Sequence, residues 1–411
     1  MRHPRGRRGR RAAGALAAGA AALALGCTQT TVLRTRYSLA SEPAIGEDRT
    51  QVTDARRMAP PAPGANLDSV LRMDHDGLTV PVISPDGRRA VVQTQTNAPW
   101  NVRLGDAPPA AGLASRLEGV SLEPASLGLP IVTLAGPWLI GRAATDEAFL
   151  AERPRRDGGR DIALVAWDGG AVHEVAVDGW TNAFATITPG GALAWARRPA
   201  EGGDWSLVME RGGVRRTFRG AAGDQWVFPV FAGDGSGLFA FRISGVALSV
   251  AWVPFETDGF PSEDALEAPA AAMPLGLDGS LLTVARIMQP VDGLAASRPG
   301  SDRIVLYLPS MGRAVSWTPG GTLEPLADRS VAALLLDADA ALVTTPEMLG
   351  LERLSDPEGR LAMLAEGPWL ARPLARSGTP DIPGTVVAVI RMRAGRVELA
   401  QLDAAQPRAS R

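Results

Sequence analysis

Residue types able to do chemistry are sparse in this chain of 411 residues, and they are unevenly placed. Histidine occurs three times, at His3, His75 and His173. His75 lies in Asp74-His75-Asp76-Gly77, the densest polar cluster. An acid–histidine–acid run can join a metal site, and oxygen-rich turns bind Ca²⁺. The long acidic calcium loop with its distal Glu is missing, however. The cluster Asp74, His75 and Asp76 is therefore expected to be a polar turn ahead of the first repeating unit. His173 falls in the alternating run Val172–Val177, where an exposed strand residue is expected rather than a base. Two histidines outside the leader cannot build a three-His zinc site. The chain has no His-Glu-x-x-His motif and no Gly-x-Ser-x-Gly elbow. It also has no lysine, which rules out a P-loop lysine, a Schiff base and a Ser-Lys dyad. No catalytic residue, metal site or cofactor is expected. Paired carboxylates of the glycosidase kind would meet only in three dimensions and leave no local motif.

Cys27 is the one thiol, so a disulfide within the chain is impossible. Its position has a meaning of its own. Residues 1–11 carry Arg2, Arg5, Arg7, Arg8, Arg10 and Arg11 and no acid, and residues 12–26 are almost only Ala, Gly and Leu. A charged head, a short apolar stretch and a small residue before a cut form the grammar of an export signal. The apolar stretch is about 15 residues, short of the roughly 20 that span a bilayer. Leu23-Ala24-Leu25-Gly26-Cys27 resembles the bacterial lipobox, with Ala24 where that pattern carries Leu, Val or Ile. The resemblance implies cleavage before Cys27 and lipid attachment to it. Thr28 in place of Asp leans, by the same resemblance, towards the outer membrane. Arg7-Arg8 and Arg10-Arg11 leave export by the Sec or the Tat route open.

The formal charge of −2 includes the six leader arginines, so the mature chain carries about −8. An acidic chain has no electrostatic footprint for nucleic acid. Residues 28–66 mix polar stretches with Pro60-Pro61-Ala62-Pro63-Gly64, a composition that buries little apolar surface and reads as a tether. Three regions are expected: a signal peptide at 1–26, a flexible tether at 27–66 and a folded body at 67–411.

The body is punctuated by turns. Ile162–Trp167 and Val172–Val177 flank Asp168-Gly169-Gly170, a hairpin signal. Trp205–Glu210 with Val214–Phe218 and Val386–Met392 with Arg396–Leu402 repeat it. Helical periodicity is confined to Glu263–Ala272. A theme of apolar strand, tight polar turn and apolar strand recurs. Its clearest copy is Ile83-Ser84-Pro85-Asp86-Gly87, followed by Arg88–Val92. Further copies centre near residues 136, 190, 234, 278 and 338. Asp86, Asp234 and Asp278 sit in such turns, where Asp accepts backbone hydrogen bonds. A period from the mid-forties to about 60 with several strands per repeat is the mark of propeller blades. The expected fold is all-β: a propeller of four-stranded antiparallel blades, seven in number, with six or eight also compatible. The ten Trp residues all lie between 100 and 369, where large rings fill wedges between blades. Ring closure should join a strand near the N-terminus, Val32–Leu39 or Leu78–Ile83, to the strand at Val386–Arg391. The Ser-Pro-Asp-Gly turn resembles the WD40-like repeats of TolB-type propellers, a likeness that implies a fold rather than a chemistry.

The expected function is a membrane-tethered, extracytoplasmic, non-catalytic interaction module of the cell envelope. It would be held through a lipid on Cys27 at the outer membrane, facing the periplasm, with an envelope protein or surface polymer as partner. The alternative is an extracytoplasmic hydrolase or lyase acting on polysaccharide or peptide at the propeller mouth. That alternative requires Asp, Glu or Arg to converge at one end of the channel with perturbed pKa values.

Overall fold

The computed structural model describes residues 41–42, 57–59, 67–74, 80–96, 115–136, 138–157, 159–168, 171–278, 295–296, 303–308, 313–336, 340–355, 361–373, 386–393 and 396–403. Within these residues the chain is a seven-bladed propeller with four-stranded antiparallel blades. Strands A to D run through each blade in chain order. Blade 1 holds Val82–Ile83, Arg89–Thr96, Ser115–Ser121 and Pro130–Gly136. Blade 2 holds Leu139–Ala144, Ala148–Pro154, Arg160–Ala166 and Val172–Ala176. Blade 3 holds Thr181–Ile187, Leu193–Arg198, Ser206–Arg211 and Val214–Phe218. Blade 4 holds Asp224–Phe231, Gly237–Ser244, Ala247–Pro254 and Ala271–Asp278. Blade 5 holds Ala295–Ala296, Ile304–Leu308, Arg313–Trp317 and Glu324–Pro325, and blade 6 holds Ala332–Leu335, Ala340–Thr344, Met348–Arg353 and Leu361–Glu366. Blade 7 takes Leu370–Pro373, Val386–Arg393 and Arg396–Asp403 from the C-terminal end. Its D strand is Leu67–Asp74, from the other end of the body. A strands pack against A strands of neighbouring blades, so they line the axis.

All three hairpins expected from sequence form, as the C–D pairs of blades 2 and 3 and the B–C pair of blade 7. The Ser-Pro-Asp-Gly turn joins strands A and B of blade 1. Ser84 Oγ donates to Asp86 Oδ1 at 2.6 Å, and the N–H of Arg88 donates to the same oxygen at 2.9 Å. Gly87 N–H returns to Ser84 O at 2.8 Å. Blade 4 repeats this at Asp234, whose Oδ1 accepts from Ser236 N–H and Oγ. The turn near 190 occupies the A–B position of blade 3, and residues 337–339, between strands A and B of blade 6, lie outside the described residues.

Four expectations are corrected. The turn near 136 is the link from strand D of blade 1 to strand A of blade 2, because the flanking strands belong to different sheets. The A–B turn of blade 2 is Thr145-Asp146-Glu147, closed by Thr145 N–H to Ala148 O at 2.7 Å. Asp278 ends the outer strand of blade 4, opposite Ala247, and is no A–B turn residue. The Glu263–Ala272 helix does not form: 263–267 are turns, and Ala271 and Ala272 begin the outer strand of blade 4. Pro261 stands just before it and Pro269 inside it, leaving a stretch too short for a helix to offset its nucleation. Finally, ring closure does not use Leu78–Ile83, and the strand that receives the closing strand is Arg396–Asp403 rather than Val386–Arg391. Val82 and Ile83 form strand A of blade 1, while Leu67–Asp74 pairs antiparallel with Arg396–Asp403. Val32–Leu39 lies outside the described residues.

Alternation explains the choice of closing strand. Leu71 and Met73 are buried and Arg72 between them is exposed, the signature of a half-buried strand. Leu71 and Met73 join one core with Leu399 and Val397 of blade 7 and Ala90, Val92 and Val120 of blade 1. Further chain is added to this blade: Arg57–Ala59 pairs with Leu67–Asp74 on its outer side, and Ser41–Glu42 runs parallel to the end of Val386–Arg393. Trp rings do fill wedges between blades. Trp167 packs among Val91, Leu117 and Val132 of blade 1, and Trp317 of blade 5 meets Phe239 of blade 4 edge-on at 5.9 Å.

Candidate functional site

The propeller has two rims. One carries the A–B and C–D turns (the AB rim). The other carries the B–C turns and the links between blades (the BC rim). Asp74 stands at the BC rim, at the end of the closing strand and opposite Arg396. His75, Asp76 and Cys27 lie outside the described residues. His173 is exposed on the outer strand of blade 2, opposite Leu164, as expected of a strand residue. Among the described residues no group of three or more His, Cys, Asp or Glu is placed to hold a metal ion.

The organised chemistry of the BC rim is a repeated unit not recognised in the sequence. A Trp at the start of strand A lies under an Arg from strand B of the same blade, and that Arg also meets an acid. Trp138 pairs with Arg153 at 5.5 Å, Trp180 with Arg197 at 4.2 Å, Trp226 with Arg242 at 5.9 Å and Trp369 with Arg391 at 4.5 Å. The acids are Asp161 and Glu174 for Arg153, Asp178 for Arg197, Asp224 for Arg242 and Glu398 for Arg391. Each cation thus has a carboxylate and an aromatic face, worth about 0.5–2 kcal/mol for the stacking alone. A glycine with positive φ precedes every one of these Trp residues: Gly136, Gly179, Gly223 and Gly367. The left-handed turn swings the chain from one blade into the next. The signal was present as Gly-Pro-Trp-Leu at both 136–139 and 367–370. It was obscured because the Arg partner follows at a variable distance.

Blade 2 elaborates the unit. Arg155 donates to Asp161 Oδ1 at 2.7 Å and to the Trp180 carbonyl at 2.9 Å, tying blade 2 to the link into blade 3. Burial works against the Arg155 charge, but hydrogen bonds to Asp157 and Asp161 outweigh it and raise its pKa. The Arg155 hydrogen bond, with one from Gly159 N–H, holds the Asp157 carboxyl below the usual range.

A second constellation faces the axis. Strands A of blades 2, 3 and 4 each bulge, with register shifts at 140–144, 183–186 and 227–230. Phe184 and Phe228 occupy the left-handed region at φ 60° and 55°, a conformation costing on the order of 1–3 kcal/mol each. Their rings stack at 4.0 Å, and the Arg142 guanidinium lies 5.0 Å from the Phe228 centroid. Arg142 is in blade 2 and Phe228 in blade 4, so this contact passes on the axis side of blade 3. A buried ion pair supports the strain: Phe184 N–H donates to Glu152 Oε1 at 2.9 Å, and Arg160 donates to Glu152 Oε2 at 2.7 Å. Bulges are set by register rather than composition, which is why these residues were not singled out.

Among the described residues, the carboxylate whose pKa is raised is Glu352 of blade 6. Burial is the main cause, opposed by a hydrogen bond from Ala327 N–H and by the charge of Arg313. It is enclosed in the blade and does not face the axis cluster of blades 2 to 4.

No family model matches the chain, and no curated protein does. Solved structures do. TolB from Acinetobacter baumannii is similar with a TM-score of 0.32 and 16% identity, covering 48% of this chain and 49% of that one. This chain therefore spans about half the length of that TolB. Streptogramin B lyase is similar with a TM-score of 0.41 and 8% identity, over 80% of this chain and 97% of that one. Prolyl oligopeptidase B from Galerina marginata gives 0.45 and 12%, over 88% and 58%. The blade count rests on the strand pairings above and not on these likenesses.

Proposed function

We propose that this chain is a non-catalytic interaction module of the bacterial cell envelope, exported and held at a membrane through a lipid on Cys27. The observation that carries the reading is how charge is used on the BC rim of blades 2, 3, 4 and 7. Arginines there are bound to carboxylates and stacked on Trp, so they stiffen a scaffold. A rigid, pre-organised surface of this kind suits partner binding, since little order is lost on association. The Phe184–Phe228 stack with Arg142 over it supports the same reading, because it fills the axis side of three blades with side chains. Support for export and anchoring comes from the leader arginines, the apolar stretch and the Gly26-Cys27 junction. Residues 27–66 supply the leash, two short segments of which, 41–42 and 57–59, lie against blade 7, and Asp74-His75-Asp76 serves as a polar link into blade 1. Thr28 supports the outer membrane as the site, with the propeller in the periplasm. The partner is an envelope protein or a surface polymer.

Crosslinking in intact cells followed by pull-down tests the reading. A discrete crosslinked partner is the expected result. Recovery of the anchored chain alone would remove the interaction role.

A further inference from the structure

The Trp–Arg–acid unit occurs in four blades, and one copy is finished differently from the rest. In blades 4 and 7 the ring is sealed: Trp226 is 0% exposed and Trp369 is 1% exposed. Trp138 of blade 2 is half-buried and packs against the core shared with blade 1. Trp180 of blade 3 is half-buried too, yet of the nine Trp among the described residues it alone joins no apolar core. Polar groups hold it instead. Gly179, at φ 80°, sets the turn before it. Asp178 Oδ1 accepts from Trp180 N–H at 3.1 Å and from Asn182 Nδ2 at 3.0 Å. Arg155 Nη1 donates to the Trp180 carbonyl at 2.9 Å. The Arg197 guanidinium lies 4.2 Å from the ring centroid, and its Nη2 meets Asp178 Oδ2 at 3.0 Å. The ring is pinned at the rim while part of it stays open to water. An indole fixed in this way has little freedom left to lose when a ligand stacks on it.

We propose that Trp180 is the platform of a saccharide-binding site on the BC rim of blade 3. This deepens the interaction role proposed above and rests on it, with a surface polymer as the partner. The face of an indole is electron-rich and attracts weakly positive hydrogens. A pyranose ring offers a face of C–H groups and an edge of hydroxyls. Beside the Trp180 ring stand an acceptor and a donor for that edge: the Asp178 side chain is 27% exposed and that of Arg197 is 19% exposed. A carboxylate and a guanidinium held in a fixed array suit vicinal hydroxyls, each of which donates and accepts. A protein anchor would call for different surroundings, a pocket whose neighbouring contacts exclude water. Trp180 is bordered by charge instead, and that charge cancels: Arg155 and Arg197 are matched by Asp157 and Asp178. The balance fits a neutral sugar rather than a uronic acid or a sugar phosphate. Val177, at the outer end of the same link, is 48% exposed and offers an apolar contact to the next sugar of a chain.

Calorimetric titration of the full chain in detergent micelles tests this. The probes are maltotetraose, mannotetraose and chitotetraose, with tetragalacturonate as the acidic comparison. At least one neutral tetramer is expected to bind at millimolar concentration or below, and tetragalacturonate more weakly. Trp180→Ala is expected to weaken that binding roughly ten-fold or more, and Trp180→Tyr to restore most of it. Asp178→Asn keeps the shape of the turn and removes the charge; it is expected to weaken binding as well, and it decides the matter should the Ala variant fail to fold. No binding of any neutral tetramer, tighter binding of the acidic one, or parent-like affinity in Trp180→Ala and Asp178→Asn overturns the site. If the tetramers fail while crosslinking in intact cells still yields a discrete protein partner, the saccharide site falls and the interaction role stands.

Discussion

Ring closure converges on Glu398. Its side chain is 5% exposed and lies in register between Arg391 on strand B of blade 7 and Arg72 on the closing strand. Arg391 donates to Oε2 at 2.5 Å and Arg72 to Oε1 at 2.8 Å. The two cations differ in setting, since the Arg391 side chain is 11% exposed and that of Arg72 is 45% exposed. Glu398→Ala would leave Arg391 without its carboxylate in a site shielded from water, an effect of about 3–5 kcal/mol. Arg72→Ala removes a pair half in water, worth about 0–1 kcal/mol. Glu398→Ala should therefore shift the folding equilibrium roughly a thousand-fold, and Arg72→Ala less than ten-fold. Replacing Arg391 and Glu398 together by Met and Leu should recover most of the loss, since no buried charge is then stranded. Urea unfolding followed by Trp fluorescence measures all three, because Trp369 stacks on Arg391. If Arg72→Ala costs as much as Glu398→Ala, or if Glu398→Ala costs under about 1 kcal/mol, the assignment of a buried, closure-setting carboxylate is wrong.

Further outcomes follow from other parts of the molecule. Leu71→Ala, at a residue 1% exposed where blade 7 meets blade 1, should cost about 2–5 kcal/mol and open the ring to limited proteolysis near 67–74; protection equal to the parent chain would count against that closing strand. Glu352 has a folded pKa raised by burial, so the folded state binds the proton more tightly and stability falls as pH rises from the ordinary carboxylate range through the raised value. Glu352→Gln should accordingly stabilise the protein at neutral pH and flatten that part of the pH profile of the urea midpoint, and an unchanged profile would contradict it. Asp157 shifts the other way: its carboxyl is lowered by Arg155, so its contribution is present at neutral pH and lost as pH falls below the ordinary range. Being exposed and open to solvent screening, it should make Asp157→Asn nearly silent at pH 7 in the same assay. Cys27→Ser should release the protein from membranes and abolish labelling by palmitate analogues, whereas unchanged labelling would end the anchor reading.

Local chemistry was legible in the sequence because it depends on neighbours. Ser84, Asp86 and Gly87 form a turn through bonds spanning at most five residues, so the motif reads correctly in isolation. The C–D hairpins of blades 2 and 3 were legible for the same reason: alternation and a two- or three-residue turn specify both strands at once. Repetition of such units, with the shortage of helical periodicity, was enough to point to a propeller and to seven blades.

Whatever depended on distant partners was settled only by the tertiary structure. Gly136-Pro137 has the composition of a hairpin turn, yet it leads from one blade to the next, because which sheet a strand joins is decided by packing. The choice of Leu67–Asp74 as closing strand depends on partners more than 300 residues away, among them Glu398 for Arg72. The Trp–Arg–acid units and the strained Phe184 and Phe228 likewise arise from register and bulges, which composition does not encode. By itself the sequence determined the Ser84–Gly87 turn and its copies near 190 and 234, the three hairpins and the presence of a blade repeat, which rest on bonds over a few residues. The fold decided how the ring closes and which charges are buried, since those free energies exist only once the blades are side by side.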